Sequence, residues 1–272
     1  MVKIRKKFCL TFDIEEFDIA KGITEEEKYS VSFEGTKRIL NLLKEEGIKA
    51  TFFVTAKFTE KYPEIIREIS KEHEIGSHGY THNDNYQNVE REKAYELLKQ
   101  TREAIEKIIK KEIKGFRAPR MMKVNPVIVK KAGFKYDSSY QPALIPGRSL
   151  DFFGRRKIHR KDGMIIIPTS VTPLIFGKIP LMWYGFRNYG LTYAKPITIL
   201  SAINTNYICV YFHSWEFVDL SKYELKDDIK KNTGEKLNKM LSEYIRWCKK
   251  KYDFTTISKM IKDHEVELST NW

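Results

Sequence analysis

Cysteine is scarce in this chain of 272 residues: there are three, Cys9, Cys209 and Cys248, far apart and odd in number. That pattern excludes the paired spacing of zinc ribbons and dithiol redox motifs, and it predicts reduced, mostly buried thiols. Long apolar runs are also missing. No stretch approaches the ~18 residues that read as a membrane span, and the start MVKIRKKFCLTFD has only a short apolar run before an acidic residue. Neither a spanning helix nor a secretory leader is expected, so the expected location is cytoplasmic. Glutamine is rare as well, with three residues against abundant Lys, Glu and Ile, a bias that fits a protein from a hot environment.

Charge is plentiful and unbalanced, with 49 Lys and Arg against 36 Asp and Glu, a net of +13. Such an excess suits nucleic acid, an anionic membrane surface or a phosphorylated substrate. The basic residues, however, are interleaved with glutamates, as in KAYELLKQTREAIEKIIKKEIK (93–114), which reads as a solvated helix face and argues against a nucleic-acid partner.

Short β-rich runs alternate with amphipathic stretches. Strands are expected at 7–12, 50–55, 74–77, 114–116, 134–136, 164–168, 207–212 and 253–258, with helices between most of them. This alternation predicts a parallel (β/α) barrel in one domain spanning 1–272. The rhythm breaks at about 140–196, which carries six of the nine prolines and many aromatics. That segment reads as a loop-rich insertion around one or two strands.

The unusual polar residues fall just past expected strands: Asp13 and Glu15 after KFCLTF, His78 after EIGS, Arg117 after KGF, Asp137 after FKY and His213 after YICVYF. Those strand ends share one rim of a parallel barrel, the rim that carries active sites in such folds. His78 and His82 stand four apart, a spacing that lets two imidazoles face one ion, but Gly79 replaces the glutamate of the H-E-x-x-H metalloprotease pattern. With a carboxylate from Asp13 or Glu15 they make a two-histidine, one-carboxylate set. A Lewis acid there activates water and ferrous iron there activates dioxygen; the spare carboxylate and His213 favour hydrolysis.

The blocks LTFDIEEFD, EIGSHGYTHND, GFRAPR, GFKYDSS and VYFHSWEF, in this order between residues 10 and 217, resemble the polysaccharide deacetylases, the NodB-homology or carbohydrate esterase 4 superfamily. The resemblance implies a distorted (β/α) barrel of about seven parallel strands and hydrolysis of N- or O-acetyl groups on sugars. It implies Asp13 as general base and Glu15, His78 and His82 as ligands of a divalent metal, zinc first, with cobalt, nickel or iron as substitutes. Ile14 stands where the commonest first motif has the ligand aspartate, so the ligand role shifts to Glu15, with Glu16 and Asp18 as substitutes. Arg117 holds the base, His213 protonates the leaving amine, and Asp137, Pro119 and Trp215 face the substrate. The expected substrate is an N-acylated sugar, a sugar nucleotide or a lipid-linked sugar, with peripheral contact at the inner membrane face through the apolar loops near 174–193. The alternatives are a related amidohydrolase acting on a cyclic amide or formamido sugar and, from another class, an inactive glycan-binding protein. The Asp-Trp pair that commonly orients the family's histidine is not found in the sequence.

Overall fold

The structure, a computed structural model, describes residues 5–145, 149–151 and 153–269. In chain order the elements are β1 (Lys7–Ile14), α1 (Glu25–Glu46), β2 (Thr51–Val54), α2 (Ala56–Lys61), α3 (Pro63–Glu72), β3 (Glu74–Ser77), α4 (Arg91–Ile109), β4 (Gly115–Phe116), α5 (Pro126–Lys131) and β5 (Tyr136–Asp137). There follow β6 (Leu144–Ile145), β7 (Ser149–Leu150), β8 (His159–Lys161), β9 (Met164–Ile166), α6 (Trp183–Ser201), β10 (Tyr207–His213), α7 (Asp227–Lys230), α8 (Glu235–Lys249), β11 (Asp253–Phe254) and α9 (Ile257–Ser269). The main sheet runs β10-β1-β2-β3-β4-β5-β9-β8. The ladders from β10 to β9 are all parallel, seven strands in all, and β8 closes the path antiparallel to β9.

The strands read as continuous apolar runs because both of their faces are buried. Along β1, Phe8, Leu10 and Phe12 pack outward with helix residues such as Leu42 and Leu43, while Cys9 packs inward with Phe53, Tyr136, Ile167 and Cys209. Side chains alternate with period two along a strand, so Thr11 and Asp13 share the inward row of Cys9. The gap between β9 and β10 carries no ladder among the described residues. It is bridged by Ser170 N–H to the Cys209 carbonyl at 2.9 Å and by Cys209 N–H to Ser170 Oγ at 2.9 Å.

Helix boundaries follow local chemistry. α1 starts at a capping box in which Thr24 Oγ1 accepts from Glu27 N–H and Glu27 accepts from Thr24 N–H, and it stops at Gly47 with φ 61°. The insertion differs from the loops expected. It contains the β6–β7 hairpin, the β8 strand and the 19-residue α6, broken at Gly190, whose φ 63° and ψ −152° are not helical. Gly185, Gly190 and Pro196 lower helix propensity along this stretch and interrupt its apolar period, so the sequence conceals a helix that tertiary packing imposes. Residues 146–148 and 152 of the insertion lie outside the described residues. No helix among the described residues is long and apolar enough to cross a membrane.

Candidate active site

Asp13 and His213 stand side by side at the ends of β1 and β10. Arg117, just past β4, reaches across the barrel interior: its Nη1 donates to Asp13 Oδ1 and Thr11 Oγ1, each at 2.8 Å, and its Nη2 donates to Ser138 Oγ at 3.0 Å. Phe53 lies under the guanidinium at 4.2 Å from its ring centroid. Arg117 is fully buried and Asp13 is 2% exposed, so each charge depends on the other for compensation.

Glu15, His78 and His82 form the second group. His78 Nε2 lies 3.0 Å and His82 Nε2 3.4 Å from Glu15 Oε2, with the two rings nearly parallel. The other ring nitrogens are anchored: His78 Nδ1 faces the Arg117 carbonyl at 2.9 Å, and His82 Nδ1 faces Asp18 Oδ1 at 2.9 Å. A carbonyl only accepts, so His78 donates from Nδ1 there, which fixes the ring with Nε2 toward Glu15. Burial works against ionisation of Glu15, but the imidazoles of His82, His213 and His78 outweigh it and hold the carboxyl far below the usual range. For His82 burial works against the charged ring, but Glu15 and Asp18 prevail and push it up to about 9.

The histidine pair sits in a loop rather than on the helical turn that a four-residue spacing suggests. Asp84 organises that loop by accepting from Tyr80 N–H, Thr81 N–H, Thr81 Oγ1 and Tyr86 Oη. Gly79 has φ 87°, and a Cβ there would lie 3.0 Å from both Asp84 Oδ2 and Pro119 Cγ. Glu16, a substitute ligand in the sequence reading, is occupied instead by His82 N–H at 3.0 Å and Thr55 Oγ1 at 3.2 Å. Asp18 is taken up by His82 Nδ1.

Two imidazoles and one carboxylate, with outer partners already fixing both rings, match the donor chemistry that divalent transition metals take. Glu15 is in hydrogen-bond contact with His78 and 3.4 Å from His82, and among the described residues no group of three or more His, Cys, Asp or Glu side chains is spaced as it stands to hold a metal ion. The residues fit the group by the chemistry of their donors.

His213 is oriented by a carboxylate that the sequence reading missed. Glu216, three residues on in the same turn, accepts from His213 N–H at 2.7 Å and faces His213 Nδ1 at 2.9 Å. Behind it, Arg187 of α6 brings Nε to 2.6 Å from Glu216 Oε2, a close charge contact without hydrogen-bond alignment. Both are fully buried. Arg187 also donates to the carbonyls of Ile229 and Lys231 and lies beneath Trp183 and Trp215, so it ties the inserted helix to the wall of the site. The H-x-x-E spacing at 213–216, a capping-box pattern, was the signal available for Glu216. Nothing local marked Arg187.

Trp215 stacks on His213 at 4.8 Å and donates from Nε1 to Glu15 Oε1 at 3.1 Å. Trp183 meets His213 edge-on at 5.1 Å. A cavity of about 730 Å³ opens here, lined by Glu15, His82, His213, Trp183 and Trp215 and, farther out, by Leu225 and Lys226 among others. Asp137 and Pro119 are not in its lining, and neither are Asp13, His78 and Arg117, which reach it through their contacts with the cluster at Glu15 and with one another. Asp137 lies in a separate cavity with Tyr140 and His159, and accepts from Ser139 N–H at 2.8 Å and from Ser139 Oγ. Burial lifts its carboxyl to about 6 against the pull of Ser139 and Arg117. Pro119 packs under Gly79 and shapes the histidine loop.

Fold and site together define a mostly parallel α/β sheet with a hydrolase-type cluster, two histidines, paired carboxylates and a buried arginine, at the C-terminal ends of its strands. Residues 3–136, just under half of the chain, match the model of the polysaccharide deacetylase family. Among curated relatives, the chain is 46% identical over 50 residues to peptidoglycan-N-acetylglucosamine deacetylase of Bacillus cereus, 18% of each chain. It is 34% identical over 79 residues to peptidoglycan-N-acetylmuramic acid deacetylase PdaA of Bacillus subtilis, 26% of this chain and 30% of that one. These matches therefore span less than a third of the relatives' lengths. A solved structure from Mycobacterium smegmatis assigned to the polysaccharide deacetylases superposes with TM-score 0.68 at 18% identity, covering 98% of this chain and 93% of the other. The likeness extends the fold over the whole chain.

Proposed function

We propose that the protein is a hydrolase that removes an N-acetyl group from an amino sugar of a glycan or glycan precursor. The observation that carries the reading is the convergence of an arginine-held carboxylate, Asp13, and a carboxylate-oriented imidazole, His213, at neighbouring strand ends beside the Glu15, His78 and His82 cluster. The match of residues 3–136 to the polysaccharide deacetylase family model supports the same class of reaction.

Asp13 takes a proton from the water that adds to the acetamide carbon, and Arg117 fixes the carboxylate for that transfer. As the C–N bond breaks, His213 delivers a proton from Nε2 to the departing amine, giving acetate and the free amino sugar. Glu216 accepts at Nδ1, so it sets which nitrogen faces the cavity and steadies the imidazolium. Trp183 and Trp215 offer apolar ring faces and exclude water. Glu15, His78 and His82 would hold a divalent cation, zinc by preference, which when bound polarises the acyl carbonyl and lowers the pKa of water.

The test is acetate release over a panel of N-acetylated oligosaccharides, sugar nucleotides and lipid-linked sugars, with the protein's metal content measured alongside. Acetate appearing with one class identifies the substrate. Sugar binding without release from any member of the panel would instead favour a glycan-binding protein.

A further inference from the structure

Away from the catalytic cavity, two loops of the insertion carry the most exposed large apolar side chains of the described residues. Phe153 is 86% and Ile175 84% exposed, and Leu174, Phe176 and Ile179 are each about 40% exposed beside them. The loops are stitched together. Lys178 Nζ donates to the Gly154 carbonyl, and Arg156 donates to the Val171, Ser201 and Ile203 carbonyls, the last two at the end of α6. The apolar tips are thus held on a firm base, and Phe153 and Leu174 border one shallow cavity together with Arg155 and Lys157.

Charge around these tips is of one sign. Between Asp151 and Asp162 the chain has five Lys or Arg and no acidic residue, and Lys178 is the one charged residue from 173 to 180, while elsewhere the two signs are interleaved. Arg155, Lys157 and Lys161 are exposed. Protruding apolar side chains ringed by cations match an anionic lipid bilayer, which takes apolar tips below its headgroups and cations at them. A second copy docked through the same face would set these cations against themselves. The tips also stand out, where a partner protein would need a recess to receive them. We propose that this face rests on an anionic membrane surface, with Phe153, Leu174, Ile175 and Phe176 entering the interface. The proposal stands apart from the reading of the catalytic site.

Co-sedimentation with vesicles of phosphatidylglycerol and phosphatidylcholine in equal amounts, against phosphatidylcholine alone, tests it. The protein should bind the anionic vesicles, more weakly as salt rises, and F153S/I175S should bind at least about tenfold more weakly. Acetate release from a soluble substrate should be unchanged in that variant, which separates this proposal from the catalytic one. No binding to the anionic vesicles, or equal binding by F153S/I175S, overturns it. So does a dimer in sedimentation equilibrium that F153S/I175S dissociates, since the face then belongs to a second copy.

Discussion

Asp13, Arg117, Arg187 and Glu216 are four formal charges with almost no solvent contact, arranged as two pairs. Removing one member of such a pair leaves the other uncompensated, at a cost of about 3–5 kcal/mol, while removing both costs less. Glu216→Gln should therefore destabilise the protein in urea unfolding by more than the double variant Arg187→Gln/Glu216→Gln does; strict additivity would remove the pairing from the account. Asp13→Asn keeps the shape but not the base, and should lower the rate of acetate release ~10²–10⁴-fold with metal content unchanged. Asp137 gives a prediction in pH. Its folded carboxyl, raised to about 6 from 3.8, holds its proton more tightly than the unfolded chain does, so its contribution is full below the unfolded value and is lost as pH rises through the folded one. Asp137→Asn should gain on the parent by about 2–3 kcal/mol between roughly pH 4 and pH 7. A stability difference independent of pH contradicts that burial effect.

The elements differ in how openly the sequence declares them. β1 and β10 are legible because both faces are buried, which leaves an apolar run with one polar residue at its end. α1 is legible from Thr24, Glu27 and Gly47. α6 is not, since its glycines and Pro196 erase the apolar period and its position depends on Arg187 meeting Glu216, a contact between distant residues. The loop from 78 to 90 is a middle case: the histidines were visible, but their convergence comes from Asp84 and from the positive φ of Gly79 rather than from a helix. Gly79→Ala should cost about 1–3 kcal/mol and displace His82, so zinc affinity measured by competition with a chelator should fall. Unchanged affinity would show that the loop tolerates a side chain there.

At the scale of the molecule, parallel ordering of seven strands is what turns separated residues into one site. Asp13, Glu15, His78, Arg117 and His213 come from four strand ends, and the sequence located them because each follows an apolar run. Asp137 also follows one, yet it lines the neighbouring cavity. Tyr136 takes the inward position on β5, so the next side chain points outward, and a strand of two residues gives too little alternation to read the face in advance. The insertion adds the wall of the catalytic cavity through Trp183 and, at its other end, the basic and apolar face. The most direct test of the central claim is to measure metal content and acetate release together in the parent protein and in His78→Ala. The account predicts that the substitution abolishes both while the far-ultraviolet circular dichroism stays the same; a His78→Ala protein that keeps its metal and its activity contradicts it.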